Sequence, residues 1–154
     1  MQQGRFAEAA GMYQEILRAL PSNPGIRLNL GMALQMGGRT AEAVPHFEAV
    51  LRAEPANPPA LFSLGLAHVQ LGQPARAVAP LQKAVAADPA NLNARGLLAQ
   101  ALLEAGRPRE AAPHYRRLAA ATPKDARAWG GLGRSYEALA GQAFAELKPD
   151  SAEW

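Results

Sequence analysis

Apolar residues recur along this chain at intervals of three and four. Leu30, Ala33 and Leu34 form one such run, and Ala43, Phe47, Val50 and Leu51 form the next. This is the spacing of side chains that share one face of an α-helix. Proline and glycine alternate between the runs. Pro21, Pro55, Pro89 and Pro123 are separated by one 34-residue step, which also links Gly4, Gly38, Gly72 and Gly106. The same step links Ala9, Ala43, Ala77, Ala111 and Ala145. Proline lacks an amide donor and biases its predecessor away from helical geometry, so each proline ends a helix. Each glycine marks the turn between two helices. One period therefore predicts an antiparallel helix hairpin, and three ladders at one period predict an all-α solenoid of stacked hairpins.

The small residues Gly31, Gly65, Ala99, Gly133 and Ala43 let neighbouring helix backbones approach while large side chains fill the intervening space. Asn23, Asn57, Asn91 and Asp125 follow the prolines, where they are expected to cap the next helix. Pro74 and Pro108 fall at helix starts, a compatible place for proline. Pro45, Pro80 and Pro113 fall beyond the first turn, where kinks or late helix starts are expected. Glu8, Glu42 and Glu110 share one repeat position and read as helix-start charges.

Trp129, Leu132, Gly133 and Tyr136 spell Trp-x2-Leu-Gly-x2-Tyr. The following half-motif, Ala-x3-Phe and then Pro, is present as Ala9/Tyr13/Pro21, Ala43/Phe47/Pro55, Ala77/Leu81/Pro89 and Ala111/Tyr115/Pro123. With Leu30-Gly31 and Leu64-Gly65, these residues make nearly the whole chain resemble the tetratricopeptide repeat family. The resemblance implies a right-handed α-α superhelix whose first helices line a concave groove. Residues 4–23 then form the second helix of a truncated first repeat. Residues 24–57, 58–91 and 92–125 form three repeats, and 126–154 a divergent, truncated last one. Ala140 replaces the turn glycine there, so one long helix is expected over 126–147, stopped by Pro149 and followed by a cap at Asp150 or Ser151.

Composition narrows the chemistry. The chain has 154 residues, 49% of them hydrophobic, and no cysteine, which excludes disulfides and thiolate metal sites. Its 16 basic residues are spread along the chain against 13 acidic ones, a net charge of +3. No basic run is interleaved with aromatics, so nucleic acid is not an expected partner. No segment has the roughly 20 apolar residues a membrane span needs, so no membrane partner is expected either. His46, His68 and His114 lie in no metal-ligand motif, and no metal or cofactor is expected. Gly130, Gly131 and Gly133 follow no strand and fall inside the helical signature, which argues against a phosphate loop. No nucleophile–base pair stands out, so the chain does not read as an enzyme. The Ala-, Arg-, Gly- and Pro-rich composition suggests a bacterial source, and the compartment stays open between cytoplasm and periplasm.

A second set of side chains lies out of phase with the packing face. Leu28, Met32 and Gln35 sit opposite Leu30 and Leu34, and Phe62, Leu66 and Val69 sit opposite Leu64 and Ala67. The resemblance implies that these point into the groove. Gln100 and Leu103 continue the row, and Arg127, Arg134 and Glu137 add charge at its carboxyl end. Leu28 and Met32 occupy places where a carboxylate-gripping member of the family would carry a cation and an amide, which speaks against that specialisation. The expected partner is a protein or peptide, held as an apolar helix or extended segment. Two alternatives stand beside this reading: a non-catalytic repeat region of a larger enzyme, and self-association as a homodimer through the groove or the truncated ends.

Overall fold

A computed structural model describes residues 2–147, and Pro149, Asp150 and Ser151 lie outside them. The described chain is helical throughout. Its helices are α1 (Gln2–Ala19), α2 (Pro24–Met36), α3 (Thr40–Ala53), α4 (Pro58–Gln70), α5 (Pro74–Ala87), α6 (Leu92–Glu104), α7 (Pro108–Ala121) and α8 (Ala126–Glu146). Each packs against the helix before and after it, forming an α-α solenoid. The even-numbered helices also touch one another in succession, α2 to α4, α4 to α6 and α6 to α8. The described odd-numbered helices make no such contacts. The even helices therefore form a short inner wall and the odd ones a longer outer wall.

Two kinds of turn join the helices, and each solves the problem of unsatisfied backbone groups at helix ends. After α2, Gly38 adopts φ +82°. Its amide donates to the Gln35 carbonyl at 3.1 Å, while the Arg39 amide donates to Leu34 at 2.8 Å. This pair of bonds needs a left-handed residue that glycine supplies without steric cost. The same pair follows α4 at Gly72 and α6 at Gly106. Ala140 stands at that place in α8, which continues to Glu146. The prolines mark the other turn. There Asn23, Asn57 and Asn91 accept from the amides three residues on at 2.9–3.0 Å, and Asp125 accepts from Arg127 at 2.9 Å.

Arg27 donates to the Pro21 carbonyl at 2.6 Å and Arg95 to Pro89 at 2.7 Å. The indole of Trp129 donates to Pro123 at 2.9 Å. A guanidinium thus does at two repeats what the signature tryptophan does at the last. Leu61 takes this position in between and is buried.

Three local expectations need correction. Gly4 and Glu8 lie inside α1, which begins at Gln2, so Gly4 marks no turn and Glu8 is no helix-start charge. Glu42 and Glu110 do lie in first turns, each bonded twice by Arg39 or Arg107. The third concerns Pro45, Pro80 and Pro113, which cause no late start: α3, α5 and α7 begin directly after their turns. The carbonyls these prolines deprive of a donor belong to Ala41, Arg76 and Arg109, all exposed residues, where water can replace the lost bond.

The core is a chain of close helix approaches. Gly31 lies against the ring of buried Phe47, and Gly65 lies against buried Leu81. A Cβ at Gly31 would fall 2.6 Å from Phe47, and one at Gly65 would fall 2.4 Å from Leu81. Gly133, one period beyond Ala99, has no atom within 4 Å of where its Cβ would stand. Gly65→Ala should therefore lower unfolding stability by about 1–3 kcal/mol through overpacking. Gly133→Ala should raise it by up to about 1 kcal/mol through helix propensity. Urea denaturation of the two variants checks this, since the same substitution should act with opposite sign.

Candidate functional site

The inner wall carries a row of side chains that do not enter the core. Met32 on α2 is 38% exposed. Leu28 on the same helix, with Phe62, Leu66 and Val69 on α4, is half-buried. Leu28 leans on the amino-terminal core cluster, and Phe62, Val69 and Leu103 lean on the carboxyl-terminal one. These side chains thus present part of their surface outward and pack with the rest.

Gln35 departs from the expected arrangement because it is buried. Its amide donates to Gln70 Oε1 at 3.0 Å and to the Ser63 carbonyl at 3.4 Å. A buried amide with neither partner would be costly, so Gln35 ties α2 to α4.

Between α6 and α8 the wall opens into a cleft of about 640 Å³. Leu92, Leu97, Tyr115 and Leu118 supply apolar lining, while Asn93, Gln100, Thr122, Arg127 and Arg134 supply polar groups beside the carboxylates of Glu104 and Asp125. Gly96 leaves the mouth without a side chain, with nothing within 4 Å of a would-be Cβ. The Gln100 amide donates to Glu104 at 2.9 Å. Arg127 reaches back to Asp125 at 3.3 Å with its side chain otherwise exposed. Tyr115 lies in the cleft wall against Gly131. Burial pushes its phenol pKa up, and the Arg134 charge partly opposes this, so the hydroxyl stays neutral.

The structure brings Gln100, Arg127 and Arg134 together and leaves Leu103 and Glu137 outside this cleft. Asn93, Leu97 and Tyr115 escaped the sequence reading. Asn93 and Leu97 fall outside the row continued by Gln100 and Leu103, which stand one 34-residue step after Leu66 and Val69. Tyr115 belongs to the outer-wall helix α7 and reads as a core aromatic.

The histidines belong to the packing. His68 is buried, with Nδ1 3.0 Å from Gln73 Oε1. His114 Nδ1 lies 3.3 Å from Arg95 Nη1. His46 Nδ1 is buried without a partner. Burial is the first cause that holds His46 and His114 below the usual imidazole range. Arg27 adds to it at His46, as do Arg95 and Arg117 at His114, while Glu42 and Glu110 oppose it. No cluster of three potential metal ligands occurs among the described residues, and no helix there is long and apolar enough to cross a membrane.

The sign of the pH dependence follows. As pH falls, the unfolded chain takes up protons at these imidazoles before the folded chain does, so their contribution is complete above about pH 6.5 and declines below it. The urea midpoint should fall between about pH 7.5 and about pH 5.5. In His46→Asn/His114→Asn this slope should flatten; an unchanged slope would assign the effect to other groups.

Tetratricopeptide repeat family models match residues 1–58, 37–91 and 69–134. The solved structure described as MamA MSR-1 C2 is similar at TM-score 0.82 and 28% identity, over 94% of this chain and 83% of that one. The crystal structure of YrrB, described as a TPR protein with an unusual peptide-binding site, is similar at TM-score 0.81 and 26% identity, over 96% of this chain and 80% of that one. No curated protein matches the sequence.

Proposed function

The chain belongs to the tetratricopeptide repeat family, and on that premise we propose that it is a non-catalytic protein-interaction scaffold that holds a peptide or helix along its inner wall. The observation that carries this reading is the change in character along that wall. Its α2–α4 half presents Leu28, Met32, Phe62, Leu66 and Val69. Its α6–α8 half opens into the cleft that contains Gln100, Arg127 and Arg134. YrrB, similar in fold, is described as having a peptide-binding site.

The two halves together fit a segment with an apolar stretch at one end and acidic or carboxylate groups at the other. Burial of the apolar stretch supplies affinity, at roughly 25 cal/mol per Å² before ordering costs. The arginines supply orientation and selectivity, because opposite charge in a partly enclosed cleft is favoured and like charge is penalised. Leu103 and Glu137 flank this path, while Gln35 supports it from behind.

A fluorescent synthetic peptide with a leucine-rich helix followed by several Glu residues provides the probe, with a Lys-tailed version as comparison. Anisotropy should show tighter binding of the Glu-tailed peptide. Arg127→Glu/Arg134→Glu should weaken it by about tenfold or more, roughly 1.4 kcal/mol. Phe62→Ser/Leu66→Ser should abolish binding of both peptides at unchanged helicity by circular dichroism. Affinity retained in the serine variant would overturn the groove reading.

A further inference from the structure

One repeat position on the inner wall loses its side chain halfway along the array. Leu28, Phe62, Gly96 and Gly130 stand one 34-residue step apart, on α2, α4, α6 and α8 in turn. Leu28 and Phe62 are half-buried and pack on the core clusters beside them. A Cβ added at Gly96 would meet nothing within 4 Å, and one at Gly130 would meet only the Arg134 side chain, with Nη1 at 3.4 Å. The cleft of about 640 Å³ lies between the two helices that carry these glycines, and its lining comes from α6, α7, α8 and the turn between the last two. That volume falls within the range of sites that enclose an organic ligand.

Two features of the lining single out a ring. Tyr115 supplies an aromatic wall, against which a second ring packs edge to face or offset. Arg134 turns its guanidinium back over Gly130, close enough to the Tyr115 phenol for its charge to act there. A guanidinium held at a cleft wall attracts the face of an aromatic ring and offers no such attraction to an aliphatic side chain. The charges in the cleft balance, Arg127 and Arg134 against Glu104 and Asp125. Arg127 bonds Asp125, and the Gln100 amide bonds Glu104. A charged anchor of either sign would meet a like charge inside, whereas a neutral ring meets none.

We propose that the cleft is the anchor site for one uncharged aromatic side chain of the bound segment, seated where the inner wall lacks the ring that Phe62 supplies one period earlier. The inference rests on the groove reading above and names the residue class at the centre of that groove. The acidic groups of the segment then lie at the rim, where the Arg127 side chain is 93% exposed. Affinity for the whole segment is concentrated in this one buried ring, as in interfaces where an aromatic anchor fills a pocket.

Two small probes report on the cleft alone: N-acetylphenylalaninamide, and its cyclohexylalanine counterpart, which has similar bulk and no π face. Titrated into isotope-labelled protein and followed by amide NMR shifts, the phenylalanine probe should move Gly96 and Gly130 with a Kd of roughly 1 mM, the affinity expected for its size. It should bind about threefold tighter than the cyclohexyl probe. Arg134→Met keeps the stem, removes the charge and should erase most of that difference. Gly96→Phe places a ring in the cleft from the chain itself and should abolish binding of both probes. Gly96 faces open space and Arg134 is exposed, so both variants should keep wild-type helicity. Phe62→Ser/Leu66→Ser should leave the small probes bound, so the groove reading and this one fail on different measurements. Equal affinity for the two probes, a preference unchanged in Arg134→Met, or full binding in Gly96→Phe would each overturn the proposal. So would shifts confined to other helices, or no shift at about 20 mM probe.

Discussion

The close approach of paired helices over a missing side chain governs this molecule. Gly31 beneath Phe47 and Gly65 beneath Leu81 set how near two backbones come, and that distance sets where the next helix begins. The third hairpin carries Ala99 at that place, and Tyr115, one period after Leu81, lies against Gly131 of α8. This contact puts a phenol into the wall of the inner cleft. Dense packing transmits small volume differences instead of absorbing them.

The turns show how the chain keeps this packing in register. The inner helices α2, α4 and α6 each end on a left-handed glycine with paired backbone bonds, and all four inner helices begin with a side-chain cap. Arg27, Arg95 and Trp129 then close the carbonyls of Pro21, Pro89 and Pro123, while Leu61 stands at the corresponding place after Pro55. The chemistry of the donor differs, but its reach over six residues does not. At those three places a planar nitrogen donor recurs where the aromatic ring does not.

Much of the architecture was legible because periodic features report backbone requirements directly. Proline, positive-φ glycine and Asn caps each have one dominant structural meaning, and the all-helical fold of the family follows from them. The site was less legible. Gln35 shares its spacing with Leu28 and Met32, yet a partner 35 residues away, Gln70, draws it inward. Tyr115 reads as core and is also cleft, since a large side chain can cross from one role to the other. Gly4 and Glu8 misled because α1 runs without a break from Gln2 through both positions, so the repeat position alone marks neither a turn nor a helix start there. Periodicity fixes which face a residue occupies, while burial depends on whether a neighbour is there to cover it.

The asymmetry between the two walls has a mechanical side. Inner helices touch their next-nearest neighbours and outer helices do not, so bending strain concentrates along the inner wall while the outer wall splays freely. The array is thus a leaf spring with its neutral line displaced toward the groove. A segment seated across α2, α4, α6 and α8 would bridge the elements whose relative tilt sets the curvature. Such a segment would stiffen the array and would also fix the shape the solenoid presents on its outside.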